Sequence, residues 1–232
     1  MPIVGIAERL AGNVGSKQIV ITGTGKIIQF YSNFDKNPAF DPGFFDTNHS
    51  GDPEYERRTA IVENLIVDGQ GHAGTTGLFL RNLGGAFIRN ITIRNCDVGI
   101  HLHNAKGAWT EVNHLQHIRM ENVKTGILFS TDGWFSDTLP GDSFGHSYID
   151  DISIELRNTS GAVGIQVGDG QYGNGGFGTK PNGWIVTAQP YFSFIKADIW
   201  FGSADSCGVK LVNGELKHCL VIATLVYIDS FI

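Results

Sequence analysis

The sequence has few charged residues, and the balance of charge is not basic. Charged residues make up 17% of the 232 residues, and the formal net charge at pH 7 is -6. A general nucleic-acid binder needs a basic face that follows the phosphates. The composition therefore argues against that class, and we expect no nucleic-acid partner.

Cysteines and long apolar runs are also scarce. The three cysteines, Cys96, Cys207 and Cys219, show no metal-ligand spacing, so we expect free thiols and no metal. The most apolar stretch, CLVIATLVYI at 219–228, is too short to cross a bilayer, and we expect no membrane insertion. Residues 1–12 lack the basic start and long apolar centre of a signal peptide.

Glycine, in contrast, is abundant, with 31 residues and no collagen-like period, which points to many tight turns. Five glycines share one context, because each precedes an apolar-x-apolar triplet. These are Gly77, Gly99, Gly126, Gly164 and Gly208, at intervals of 22 to 44 residues. An earlier triplet stands in each unit: LIV at 65–67, ITI at 91–93, IRM at 118–120, ISI at 152–154 and IWF at 199–201.

The two triplets of each unit predict two short strands whose first and third residues point inward. The predicted inward residues are all apolar: Leu65, Val67, Leu78, Leu80, Ile91, Ile93, Ile100, Leu102, Ile118, Met120, Ile127, Phe129, Ile152, Ile154, Ile165, Val167, Ile199, Phe201, Val209 and Leu211. The middle residues are mixed: Ile66, Phe79, Thr92, His101, Arg119, Leu128, Ser153, Gln166, Trp200 and Lys210. So uniform a division over five copies indicates a structural repeat.

A polar residue precedes the first triplet of each copy. These residues are Asn64, Asn90, His117, Asp151 and Asp198. Short polar side chains bond to neighbouring backbone groups at bends. We therefore predict polar corners that stack on one another as a ladder.

Short strands, polar corners and a repeat of this length predict an all-β, parallel solenoid. The pattern resembles the right-handed single-stranded parallel β-helix of the pectin-lyase-like superfamily, with about six or seven rungs. We expect a single domain over residues 1–232, with an N-terminal cap at 1–18 and the solenoid at 19–232. Three longer segments are predicted to leave the coil as loops: 31–58, 130–148 and 168–184.

The three predicted loops combine glycine or proline with aromatic residues. Long loops on a rigid scaffold are a usual place for binding. Aromatic rings stack on the apolar faces of sugars, and nearby carboxylates and amides bind sugar hydroxyls. We predict carbohydrate binding by Trp134, Tyr172, Phe177 and Trp184, with attachment of the loops to the coil as the alternative role of these side chains.

Catalysis on a polysaccharide is the second hypothesis. Hydrolysis needs two carboxyl groups, about 5 to 9.5 Å apart. Asp132, Asp137 and Asp142 in the second loop are the candidate catalytic residues, whereas Asp151 is assigned to a corner. Polygalacturonases of the resembled superfamily carry Gly-His-Gly after Asp-Asp. Here GHS at 145–147 comes before DD at 150–151, so the enzyme question stays open between hydrolase, lyase and neither.

Two further patterns are assigned no chemistry. The histidines His101, His103, His114 and His117 are expected at surface and corner positions rather than as metal ligands. The glycine-rich GNGGFG at 173–178 lacks the strand-to-helix context of a phosphate-binding loop, and we expect no cofactor.

Acidic composition, uneven repeats and an apolar C-terminal stretch resemble bacteriophage tailspike and tail-fibre proteins. The resemblance implies a homotrimer of parallel rods that recognises cell-surface polysaccharide. It also implies a location in a virion, or outside the cell without a signal peptide. The alternatives are a polysaccharide-degrading hydrolase or lyase and a purely structural oligomerisation module.

Overall fold

The structure is a computed structural model, and it describes part of the chain. The described residues are 19–31, 61–81, 86–104, 110, 113–131, 144, 147–168, 185–186, 193–212, 214–215 and 219–227. The predicted cap at 1–18 lies outside them, as does most of each predicted loop. Every helix or strand within the described residues is a β-strand.

The strands form two large sheets and one small pair. The first sheet has the order β1 (Ile19–Thr22), β3 (Ile61–Asp68), β5 (Phe87–Arg94), β7 (His114–Val123), β9 (Tyr148–Leu156), β12 (Ser193–Phe201) and β15 (Cys219–Tyr227). The second sheet contains β2 (Lys26–Tyr31), β4 (Thr76–Arg81), β6 (Val98–Asn104), β8 (Thr125–Thr131), β10 (Val163–Val167) and β13 (Cys207–Leu211). A separate parallel pair joins β11 (Ile185–Val186) and β14 (Gly214–Glu215).

Neighbouring strands of both large sheets are parallel, and the chain alternates between the two sheets. It passes from β3 to β4, returns to pair β5 with β3, and then pairs β6 with β4. The all-β, parallel prediction is confirmed. The alternation is compatible with a parallel β-solenoid, because each return of the chain adds one strand to the same edge of each sheet.

The core lies between the sheets and follows the predicted inward positions. The predicted inward residues from Val67 to Ile199 are all buried, and Leu65 and Phe201 are half-buried. The prediction is wrong at Val209 and Leu211, which are 37% and 52% exposed. These two side chains belong to β13, an edge strand of its sheet, so among the described residues they have a neighbouring strand on one side only.

The repeated glycines have a steric reason. A Cβ atom on Gly99 would lie 2.5 Å from Met120 Sδ and 2.8 Å from the carbonyl oxygen of Gly126. The other four repeat glycines meet a similarly close side chain of the first sheet. Side chains of the first sheet therefore pack directly against the backbone at these positions of the second sheet.

Polar corners occur at four of the five predicted positions. Asn64, Asn90, His117 and Asp151 all have positive φ, at 62°, 55°, 53° and 53°. The Asn90 side-chain amide donates to the Asn64 side-chain oxygen at 3.3 Å, and His117 bonds to Asp151 through Nδ1. The strand bends at each of these residues, so the predicted ladder is present in two pairs.

The prediction of a fifth corner at Asp198 is wrong. Ala197 pairs with Ile152, and Asp198 pairs with Ser153, so β12 has no counterpart of the Asp151 corner. The strand is one residue shorter at this point, and the register shift moves Asp198 onto the outward side of the sheet.

A further polar corner, at Asn95 and Asn122, was not predicted. Asn95 and Asn122 both have a φ of 54°. Asn122 Nδ2 donates to Asn95 Oδ1 at 2.8 Å, and Asn95 Nδ2 donates to Asp68 Oδ1 at 3.0 Å. These bonds link the ends of β3, β5 and β7, and hold successive strands in register.

Candidate functional site

The first row of corners divides the outward side of the first sheet into two faces. Residues after the corners form what we name the tryptophan face. It consists of the outward residues of four consecutive strands: Thr92, Arg94, Arg119, Glu121, Ser153, Glu155, Asp198 and Trp200. Residues before the corners form two rows, which we name the apolar row (Ile61, Phe87, His114 and Tyr148) and the charged row (Glu63, Arg89, Gln116, Asp150 and Lys196).

The register of the strands brings the polar groups of the tryptophan face together. Trp200 lies opposite Glu155, and Asp198 lies opposite Ser153. Ser153 in turn lies opposite Arg119 on its other side. Residues opposite one another on parallel strands are about 4.8 Å apart, so these groups form one continuous surface.

Burial of the alternate residues fixes this face in place. Ile152, Ile154 and Ile199 separate the outward positions of β9 and β12, and all three are buried in the core. Trp200 itself is 38% exposed. A site built on packed strands is held more rigidly than a site on a loop.

Ion pairs order part of the tryptophan face. Arg119 Nε lies 2.7 Å from Glu121 Oε1 on the same strand. Arg94 Nε donates to Asp68 Oδ2 at 2.8 Å across neighbouring strands. Burial raises the pKa of Asp68, but hydrogen bonds from Asn95, from the Gln70 backbone N–H and from Arg94 outweigh it, so the pKa of this carboxyl lies below its ordinary value.

The apolar row offers a different kind of surface. The rings of Phe87 and His114 are stacked, with centroids 4.6 Å apart and planes at 2° to each other. Tyr148 continues the row, at 6.1 Å from His114. Because Phe87 and His114 stack on each other, one face of each ring is covered and is not available for stacking on a sugar.

A third cluster lies on the second sheet. His101 Nε2 and His103 Nδ1 both lie within hydrogen-bond distance of Ser130 Oγ, at 2.6 Å and 2.7 Å. Phe79 was predicted to face outward but is fully buried, with the Lys26 ammonium 3.4 Å from its ring centroid and both histidine rings beside it. Ser130 is also fully buried, so its hydroxyl is not accessible as a nucleophile. The cluster is a packed polar network.

The predicted site residues lie outside the described part of the chain. This holds for the catalytic candidates Asp132, Asp137 and Asp142, and for the carbohydrate-binding candidates Trp134, Tyr172, Phe177 and Trp184. Their roles remain predictions. The described residue nearest in sequence to Asp132 is Thr131, at the end of β8.

Three of the four histidines occupy the expected kinds of position, but the prediction is wrong for His103, which is 8% exposed and packs against Phe79 and Ser130. His117 is a corner residue, and His101 and His114 lie on the outward sides of strands. In the part of the chain that the structure describes, three or more His, Cys, Asp or Glu residues nowhere converge in an arrangement that could hold a metal ion.

Sequence reasoning placed Trp200, Arg119 and Ser153 outward but did not assign them to a site. The signal was present, because each is the middle residue of a predicted triplet. Whether Trp200 shares a face with Ser153 depends on the register of β12. The sequence spacing predicted a corner residue in β12 that this strand does not have.

Comparisons with known proteins give no further guide. The chain matches none of the protein-family models, curated proteins or solved structures with which it was compared. None of the described residues forms a helix that is long and apolar enough to cross a membrane.

Proposed function

We propose that the chain binds polysaccharide through its tryptophan face. One observation supports this proposal above the others: a partly exposed Trp200 lies beside the Glu155 carboxylate on a rigid sheet surface. An indole ring offers a large, rigid apolar surface on which a sugar ring can stack. The neighbouring Asp198 and Arg119 provide acceptors and donors for sugar hydroxyls.

We further propose the finer architecture that the repeat suggests, a right-handed parallel β-helix similar to those of the pectin-lyase-like superfamily. Alternation of the chain between two parallel sheets supports it. A right-handed crossover is also the rule for parallel strands joined within one sheet. The tailspike-like role, with recognition of cell-surface polysaccharide on a virion or outside the cell, is part of the same proposal.

The experiment that tests binding compares two aromatic variants. Trp200→Ala and Tyr148→Ala remove side chains of similar exposure, 38% and 37%, from different faces of the same sheet. A panel of bacterial and plant polysaccharides is first tested with the unmodified chain by affinity electrophoresis. The affinity for the polysaccharide that binds is then measured for both variants by calorimetry.

We expect Trp200→Ala to weaken binding at least about ten-fold, which corresponds to about 1.4 kcal/mol, because the stacking surface is lost. Tyr148→Ala should keep the affinity per subunit within about two-fold. Equal affinities of Trp200→Ala and the unmodified chain would remove the tryptophan face as the site. The predicted loop residues Trp134 and Trp184 would then be the next to test.

A hydrolytic function is the second candidate, because the same face carries Glu121 and Glu155 on neighbouring strands. Two carboxyl groups at a sugar-binding surface are the basic requirement for glycoside hydrolysis. Release of reducing ends, or of an unsaturated uronate, from the polysaccharide panel distinguishes hydrolase from lyase. Activity that survives Glu155→Gln would exclude this pair and leave Asp132, Asp137 and Asp142 as candidates.

A further inference from the structure

The charged row has an order of charges that is complementary to its own reverse. From β3 to β12 the row reads Glu63, Arg89, Gln116, Asp150 and Lys196. The first four precede the corners, and Lys196 lies at the register shift of β12, with its Nζ 3.9 Å from Asp150 Oδ1. Their signs are negative, positive, neutral, negative and positive. Read backwards, the signs are positive, negative, neutral, positive and negative, so every charge meets its opposite.

We infer that this face pairs two copies of the chain about a two-fold axis. The axis runs along the strand direction and passes through β7, so the strand stacks of the two copies are antiparallel. Glu63 then faces Lys196 of the other copy, and Arg89 faces Asp150. Gln116 lies next to the axis and faces Gln116 of the other copy. The two amides can pair there, because an amide both donates and accepts hydrogen bonds.

The same rotation brings the part of the apolar row from Phe87 to Tyr148 onto itself. Ile61, Phe87 and Tyr148 are 67%, 47% and 37% exposed. Rotation about β7 places Phe87 of one copy near Tyr148 of the other copy. It places His114 near His114 of the other copy. The pairing thus covers the exposed parts of Phe87 and Tyr148 with each other, beside a row of opposite charges.

Other arrangements of two or three copies do not use this pattern. A two-fold axis along the stack would keep the stacks parallel and bring Glu63 against Glu63, and Arg89 against Arg89, which is repulsive. A three-fold axis would place this face against a different face of the next copy, so its self-complementarity would have no role. The charge order favours the antiparallel dimer over the trimer that the tailspike resemblance implies.

Two ion pairs within the chain offer a second explanation for the order of charges, one that needs no other copy of the chain. Arg89 Nε lies 2.7 Å from Glu63 Oε2, and Lys196 Nζ lies 3.9 Å from Asp150 Oδ1. A test must therefore separate contacts within one copy from contacts between copies. Charge reversal at two positions does so.

The experiment uses the full chain and three variants: Arg89→Asp, Asp150→Arg and the double variant with both changes. Each single variant breaks one ion pair within the chain and places like charges opposite each other in the dimer. The double variant breaks both ion pairs within the chain, yet its row, with negative charges at 63 and 89 and positive charges at 150 and 196, is again complementary to its reverse.

Sedimentation equilibrium should give a mass twice that of the 25.2 kDa chain for the unmodified protein and the double variant. Each single variant should dimerise at least about ten-fold more weakly. If the double variant dimerises no better than the single variants, the charges act only within one copy and the inference is wrong. A monomer or a trimer of the unmodified chain at all concentrations would also overturn it.

Gln116→Glu provides a second test that touches no ion pair within the chain. It places two carboxylates close to the axis, and we expect dimerisation to weaken about ten-fold or more. The matched control is Arg119→Glu, three residues away but on the tryptophan face, which should leave the dimer intact. Equal effects of both variants would contradict the interface. Dimerisation does not depend on polysaccharide binding, so Trp200→Ala should still form the dimer.

Discussion

At the scale of the residue, close packing against glycine is the most exacting feature of this protein. A methyl group on Gly99 would overlap Met120 Sδ and the Gly126 carbonyl oxygen. The carbonyl belongs to the neighbouring strand and cannot move without disturbing the sheet. The repeated glycine that revealed the fold in the sequence is therefore a requirement of packing between the two sheets.

Gly99→Ala should lower the free energy of unfolding by about 1–3 kcal/mol, because the added methyl group forces strain into a filled core. The control is Gly23→Ala, where the nearest atom to the new Cβ would be Ile27 Cγ2 at an ordinary 3.7 Å. We expect that control to be neutral or slightly stabilising, by up to about 1 kcal/mol. Urea unfolding followed by circular dichroism measures both, and equal losses at the two sites would contradict the packing explanation.

At the scale of the element, the bends of the first sheet are encoded by residues that accept positive φ. Asn90 has a φ of 55° and donates to Asn64. A left-handed conformation costs an ordinary L-residue roughly 1–2 kcal/mol, and asparagine is among the residues that tolerate it best. The corner both turns the strand and separates the charged row from the tryptophan face.

We expect Asn90→Ala to reduce the free energy of unfolding by about 1–2 kcal/mol and Asn90→Gly to reduce it by less. Glycine loses the side-chain hydrogen bond but adopts positive φ without strain, so the two variants separate backbone conformation from hydrogen bonding. Thermal and urea unfolding give the comparison. If both variants lose the same stability, the hydrogen bond to Asn64 is what matters and the conformational explanation is wrong.

The elements also show how far the sequence could be interpreted. Alternation of apolar residues located the strands, since the buried rows have period two from Val67 to Ile199. The same pattern did not predict burial of the apolar residues that precede the corners. Examples are Ile88, Leu115 and Ile149, which are also buried. They lie on the part of each strand before the bend, where no repeated glycine marks the unit.

The register of strands depends on single residues that spacing does not reveal. Loss of one corner residue in β12 moved Asp198 from a predicted corner to the tryptophan face. Burial of Phe79 is another such case, because Lys26 on one neighbouring strand and the two histidines on the other lie against its ring. Pairing between strands, rather than the pattern within one strand, decided both outcomes.

At the scale of the whole molecule, parallel pairing converts a sequence repeat into rows of side chains. Thr92, Arg119, Ser153, Asp198 and Thr224 are partners in successive strands, although they are widely separated in sequence. Both proposals depend on such rows, the polysaccharide site on the tryptophan face and the dimer on the charged row. The two faces lie on opposite sides of the same corners.

The most direct test of these rows is the distance between two spin labels, one at each end of the row that runs from Thr92 to Thr224. Labels on Thr92→Cys and Thr224→Cys, with Cys207 and Cys219 replaced by serine and excess unlabelled protein added, report the separation within one chain by pulsed electron resonance. Parallel stacking places these positions four strand spacings apart, which corresponds to about 19 Å between Cα atoms. A narrow distribution near this value is expected, whereas a broad distribution or a mean beyond about 30 Å would show that the strands do not stack in this order.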